Sequence, residues 1–300
     1  MNIKLLLGST VLCCFPLTAV AERAPEFVVA GELENRRIDE ASGLQAGNAG
    51  AWFVHNDEKR DVFVIDKTGR HLGSFKLDGA KSHDREDITR VPGPGGHLLV
   101  IGDFGDNHAN RKDVELHFFG EPSAQDFEDD QDILHTVSVL YPDGARDVEA
   151  MAYDPVSGMI LLMSKRDAPP HLYGVSLDRA LAERRLEATF MGVVPGFRPP
   201  TAEDLLKHRS RGLYVSQPTG MDISPDGSRA AVITYRSLYL FEREDSESWA
   251  DAFQRQPVEL VGPPGAHQEA VAFSADGRSV YVTTERRPAP LHRVDLQPGD

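Results

Sequence analysis

Cysteine is nearly missing from this 300-residue chain. Its two copies, Cys13 and Cys14, lie side by side in an apolar N-terminal stretch, so the rest of the chain has no means of forming a disulfide. Positive charge is also short: 32 Lys and Arg against 47 Asp and Glu leave a formal net charge of −15. A surface that acidic repels phosphate polyanions and anionic lipid, which argues against nucleic acid and charged membranes as partners. The one long apolar run, residues 5–17, contains Pro16 and is short for a membrane span. Gly-x-Ser-x-Gly, a Walker loop and His-Glu-x-x-His are all absent, so serine-hydrolase, P-loop and zincin chemistry have no basis here.

The N-terminus itself reads as an export signal. Lys4 supplies the charged start, the apolar run follows, and Ala19-Val20-Ala21 forms a small-x-small cleavage site before Glu22. A large residue, Leu12, precedes Cys13, which argues against lipidation. The expectation is a periplasmic or secreted protein with a signal over 1–21 and one domain over 22–300, acting as a monomer. Losing Lys4 takes the net charge from −15 to −16. Without disulfides, such a chain is stabilised by its core alone or by core plus metal.

A short phrase recurs five times: Glu40-Ala-Ser-Gly-Leu44, Glu86-Asp-Ile-Thr-Arg90, Glu149-Ala-Met-Ala-Tyr153, Thr219-Gly-Met-Asp-Ile223 and Glu269-Ala-Val-Ala-Phe273. Each copy opens a strand and is followed by a turn, a very apolar strand, a polar loop and further strands. A period near fifty residues signals a propeller or an array. Second strands such as Ile160-Leu-Leu-Met163 carry aliphatics on both faces, as a strand buried between neighbouring blades requires. Three of the intervening turns hold Asp154-Pro-Val-Ser-Gly158, Ser224-Pro-Asp-Gly227 and Ser274-Ala-Asp-Gly277, with glycine placed for positive φ. The fifth unit lacks a fourth strand, and Phe27-Val-Val-Ala-Gly-Glu-Leu33 is spare. The expected fold is therefore all-β, a five-bladed β-propeller of four-stranded blades closed by an N-terminal strand. Residues 198–216 read as a loop with one helical turn, and 244–254 as a short helical insertion.

In a propeller the innermost strand starts on the face where the second strand ends. The openings Glu40, Glu86, Glu149, Thr219 and Glu269 should thus meet the polar tails that follow the second strands. Two carboxylates about 5 Å apart repel by roughly 3 kcal/mol at an effective dielectric near 20, so four converging acids demand protons or a cation. Hard oxygen donors without His or Cys select Ca²⁺, with neutral oxygens available from Thr219 and Ser42. The bland alternative is that each Glu only bonds amides of the next blade. Asp103 and Asp106, beside Asn107 in a Gly-spaced loop, are candidates to activate water or to cap their own backbone. Asp87 and Asp222 flank the inner strands. Lys165, Arg166, Arg236, Arg286 and Arg287 are the basic groups expected on that face, suited to an anionic small-molecule substrate. His55, His83, His108 and His267 lie near it without metal-ligand spacing.

The ring resembles that of the calcium-activated nucleotidases (apyrases), five-bladed propellers with one axial Ca²⁺. Glu40, Glu86, Glu149 and Glu269 match the family's acids, Thr219 its serine, and Ser164-Lys-Arg its basic pair. Pro218-Thr-Gly-Met-Asp-Ile-Ser-Pro-Asp-Gly227 is similar to the Pro-Asn-Gly phrase of exported lactonase-type propellers, with Thr219 in place of the metal-binding Asn. The resemblance implies an exported Ca²⁺-dependent hydrolase of a phosphorylated or ester-type small molecule. The alternative is a non-enzymatic binding propeller with a structural calcium.

Overall fold

The computed structural model describes residues 25–79, 81–263, 267–285 and 287–296. The segment expected to be an export signal, with Cys13 and Cys14, lies outside these residues, as does Arg286.

Five antiparallel sheets form the five blades of a β-propeller, and each blade runs outward in chain order from an innermost strand. Those innermost strands are Ala41–Ala46, Arg85–Gly93, Val148–Asp154, Pro218–Ile223 and Gln268–Phe273. The ring closes as the sequence leads one to expect. Phe27–Glu32 pairs antiparallel with Pro290–Asp295 and becomes the outer strand of blade 5, covering the edge of Pro290–Asp295 and bringing that blade to four strands.

Blades 1 and 2 each carry one strand more than the expected four. Gln131–Asp132 runs parallel to His71–Asp78 on blade 1, and Arg185–Glu187 runs parallel to His135–Leu140 on blade 2. Both additions are connecting segments that follow a blade's outer edge and use its free amides and carbonyls.

The apolar core is divided among the five joints between blades. Ile160 and Leu162 face blade 2, whereas Leu161 and Met163 of the same strand face blade 4. Ile233 and Val232 divide likewise between blades 5 and 3. A strand that packs on both sides must be apolar at every position, which explains the unbroken aliphatic second strands.

The hairpin turns repeat in detail. Asp226 Oδ1 accepts from the Ser224 hydroxyl at 2.6 Å and the Ser228 amide at 3.0 Å, while Gly227 sits at φ +73°. Asp276, Ser274 and Gly277, at φ +68°, reproduce this one blade later.

Between blades 3 and 4 lies the insertion. Thr201 caps the helix Ala202–His208 in a reciprocal bond with Asp204, and a 3₁₀ segment, Arg209–Leu213, follows. It is longer than the single turn anticipated, running on to His208 before the 3₁₀ segment. The second insertion is the short helix Trp249–Ala252, anchored by Trp249 against Phe253 at 5.1 Å. No helix among the described residues is long and apolar enough to cross a membrane.

Candidate functional site

A bulge at one place in every blade builds the axial site. Each innermost strand slips register once against its second strand, and the unpaired residues are Ser42, Glu86, Glu149, Thr219 and Glu269. Bulges re-aim side chains, and these five are all buried. Blade 1 thus contributes Ser42 to the ring rather than Glu40, which lies two residues earlier and is exposed. Three acids and two hydroxyls make up the ring, not four acids and one hydroxyl.

The residues just past the second-strand pairing are Asp57, Phe104, Lys165, Tyr235 and Glu285, and Phe104 packs into the core between blades while Lys165 reaches the ring. Lys165 leans inward. Its Nζ lies 2.7 Å from Glu149 Oε1, with side chains only 9% and 5% exposed, and 5.3 Å from the centre of the Tyr235 ring. Burial works to discharge this ammonium, but Glu149, Tyr235, Glu269 and Glu86 hold its pKa above the ordinary lysine range. Burial pushes the Glu149 carboxyl up to about 7 even though Lys165 pulls it down. Glu86 is raised well above its usual value by burial and then by Glu149 and Asp84, and Glu269 is raised by burial against the pull of Lys165. Asp57, at the rim, is pushed up to about 6 by burial and by neighbouring acids.

The donor chemistry of this ring suits Ca²⁺, but its arrangement does not. The ammonium of Lys165 stands among the acids as their cation, and Thr219 Oγ1 donates to the Gln268 carbonyl at 2.8 Å. Among the described residues, no three His, Cys, Asp or Glu side chains are grouped to hold a metal ion.

Backbone duty falls to two other acids. Asp87 Oδ1 accepts from the Ile88 amide, and its Oδ2 accepts from the amides of Met151 on blade 3 and Met221 on blade 4. Asp222 joins its own Ile223 amide to that of Phe273 on blade 5. These carboxylates tie neighbouring innermost strands together. Burial raises both, Asp222 to about 7.

Asp103 and Asp106 are braces in their loop. The carboxylate of Asp103 accepts from the His83 and Asp84 amides and pairs with Arg111 at 3.0 Å. Asp106 Oδ2 accepts from the Arg111 amide, and its own amide donates to Asp147. The glycines of this loop answer to packing: a Cβ on Gly105 would lie 2.3 Å from Glu86 Oε1. Of the histidines, His55 is buried against Gly43 and lowered to about 4 by burial, His83 lies 3.7 Å from Asp103, and His108 is exposed. His267 stacks edge-on against Tyr235 at 5.7 Å.

Beside the axis, over blades 3 to 5, opens a pocket of about 740 Å³ walled by the 198–217 insertion. Its lining holds six Lys and Arg (Lys165, Arg166, Arg198, Lys207, Arg211 and Arg236) against three carboxylates. Lys165, Arg166 and Arg236 were expected there; Arg287 lies elsewhere, paired with Asp39. The basic residues differ in freedom. Arg236 is buried and bound to Asp204 at 2.6 Å and to the Arg198 carbonyl, so it fixes the insertion to blade 4. Arg166 is shared between Asp147 and Asn107. Lys207 and Arg211 are exposed, and their side chains have no partner among the described residues. Sequence reasoning missed these two. The signal was the run Lys207-His-Arg-Ser-Arg211, the densest basic window in an acidic chain.

No protein-family model matches the chain, and no curated protein matches it.

Proposed function

We propose that this propeller binds a small, multiply charged anion, phosphorylated or polycarboxylate, in the pocket over blades 3 to 5. One observation carries the reading: a chain of net charge −15 lines a pocket of about 740 Å³ with six Lys and Arg against three carboxylates. The acidic exterior disfavours extended polyanions, while the local positive field favours a small anion that fits inside. Lys207 and Arg211 supply exposed charge, Arg166 a partly committed guanidinium, and Lys165 the floor where pocket meets ring. Calorimetric titration with inorganic pyrophosphate and with citrate tests this. Lys207→Ala/Arg211→Ala should weaken binding by about tenfold or more, consistent with ~1.5–3 kcal/mol for charged hydrogen bonds. The absence of binding by the wild type, or equal binding by the double variant, would overturn the reading.

The second reading is an exported Ca²⁺-dependent hydrolase akin to the apyrases. What favours it is the hard-oxygen ring of Glu86, Glu149 and Glu269 with Ser42 and Thr219. It requires Lys165 to leave Glu149, and it needs a base other than Asp103 or Asp106, whose carboxylates are engaged by amides and Arg111. Nucleotides, phosphate esters and lactones, offered with Ca²⁺ and with EDTA, decide it. Turnover that EDTA abolishes would favour the hydrolase over simple binding.

A further inference from the structure

Propellers leave a polar hole on their axis, and converging acids there need a counter-charge. The side chains around the axis supply one from within the chain. Lys165 leaves blade 3 just past the strand pairing, and its ammonium reaches Glu149 on the same blade at 2.7 Å. Glu269 of blade 5 and Glu86 of blade 2 also act on that ammonium, and the Tyr235 ring of blade 4 lies beneath it at 5.3 Å. Blades 3 and 4 therefore meet at one nitrogen, and acids of blades 2 and 5 act on it from beyond ion-pair distance. An ammonium carries three donors and a compact charge, as a hydrated metal ion would, but it is tethered and cannot be lost to a chelator.

We propose that Lys165 is a built-in cation that takes the place of a divalent metal in the axial ring, so that this propeller closes without calcium. The bulges bring hard oxygen donors to the axis, where they are not grouped as a metal site while the ammonium of Lys165 stands among them, and that lysine excludes the ion by charge and by volume. Removing the ammonium leaves three buried acids and two hydroxyls facing a hole with no cation, which is the donor chemistry Ca²⁺ prefers. This inference does not depend on the anion pocket, since it concerns the protein without ligand.

Melting of the full chain in EDTA and in saturating Ca²⁺ tests it, alongside calorimetric titration with Ca²⁺ alone. For the wild type the midpoint should be the same in both conditions, with no calcium heat. Lys165→Met should melt lower in EDTA and gain at least about 5 °C with Ca²⁺, binding one ion per chain. Lys165→Met/Glu149→Gln removes one charge of each sign; it should recover part of the lost midpoint and lose most of the calcium response. The double variant keeps the test open if the single one does not fold, because it should fold in EDTA. A wild type that EDTA destabilises, or that binds Ca²⁺ with a rise in midpoint, would overturn the proposal. So would a Lys165→Met protein that matches the wild type in EDTA and ignores Ca²⁺.

Discussion

Glu86 and Asp87 are neighbours in the chain, both are buried at the axis, and their carboxylates do different things. Asp87 accepts three main-chain amides from three blades, whereas Glu86 faces other acids and the ammonium of Lys165. The same division separates Asp222 from Glu149 and Glu269. An acid saturated by amides belongs to the architecture, because the strands themselves supply its partners. An acid whose counter-charge is one side chain is open to exchange with a proton, a metal or a ligand. Register decides this: the bulge residues fall outside the strand pairing, whereas Asp87 and Asp222 lie within it and reach the amides of neighbouring strands.

The largest effect should come from removing an amide-bound acid. Asp87→Ala leaves three buried amides without their acceptor and should cost about 3 kcal/mol or more in urea unfolding, at ~1–3 kcal/mol per unsatisfied group. A loss under about 1 kcal/mol would erase the distinction. Next comes pH. Glu149 and Asp222 are pushed up to about 7, above their unfolded values of 4.5 and 3.8, so the folded state holds more protons between those limits. That contribution to stability is full below about pH 4 and is lost as pH rises through 7. The unfolding midpoint should therefore fall between pH 5 and pH 8, and Glu149→Gln should flatten the slope. A smaller change of opposite sign is expected in the ring. Glu269→Gln removes one repelling charge and should stabilise by roughly 0.5–1 kcal/mol at pH 8, with the effect shrinking as pH falls because burial raises this carboxyl's pKa. Smallest of all, Glu40→Gln should change nothing measurable, since Glu40 is exposed and outside the ring.

The blade count and the closing strand were legible because period, turn chemistry and the doubly apolar second strands all point one way. The ring was legible in four blades out of five. In blade 1 the glutamate of Glu40-Ala-Ser-Gly-Leu44 is a lure, placing Ser42 where other blades have an apolar residue. Aligning Leu44 with Ile88, Met151, Met221 and Val271 puts Ser42 at the bulge, as the pairing has it. The core-facing residue fixes strand register more firmly than the functional one, because a slip would turn it out of its joint. Lys165 was readable as a cation on the right face but not as the partner of Glu149, since the bulge that turns Glu149 toward it leaves no mark in the sequence. The pocket wall was hidden for another reason. Lys207 and Arg211 sit on an insertion outside the repeat, so no periodicity marks them.

The most direct test of the account is a double-mutant cycle on Lys165 and Glu149, measured by urea unfolding at pH 8 in EDTA. If the ammonium balances the ring through Glu149, Lys165→Met and Glu149→Gln should be non-additive, with a favourable coupling of about 2–3 kcal/mol, in the range of a buried pair broken on one side. Additivity within about 0.5 kcal/mol would mean that the two charges do not sense each other and that the ring is balanced by something else.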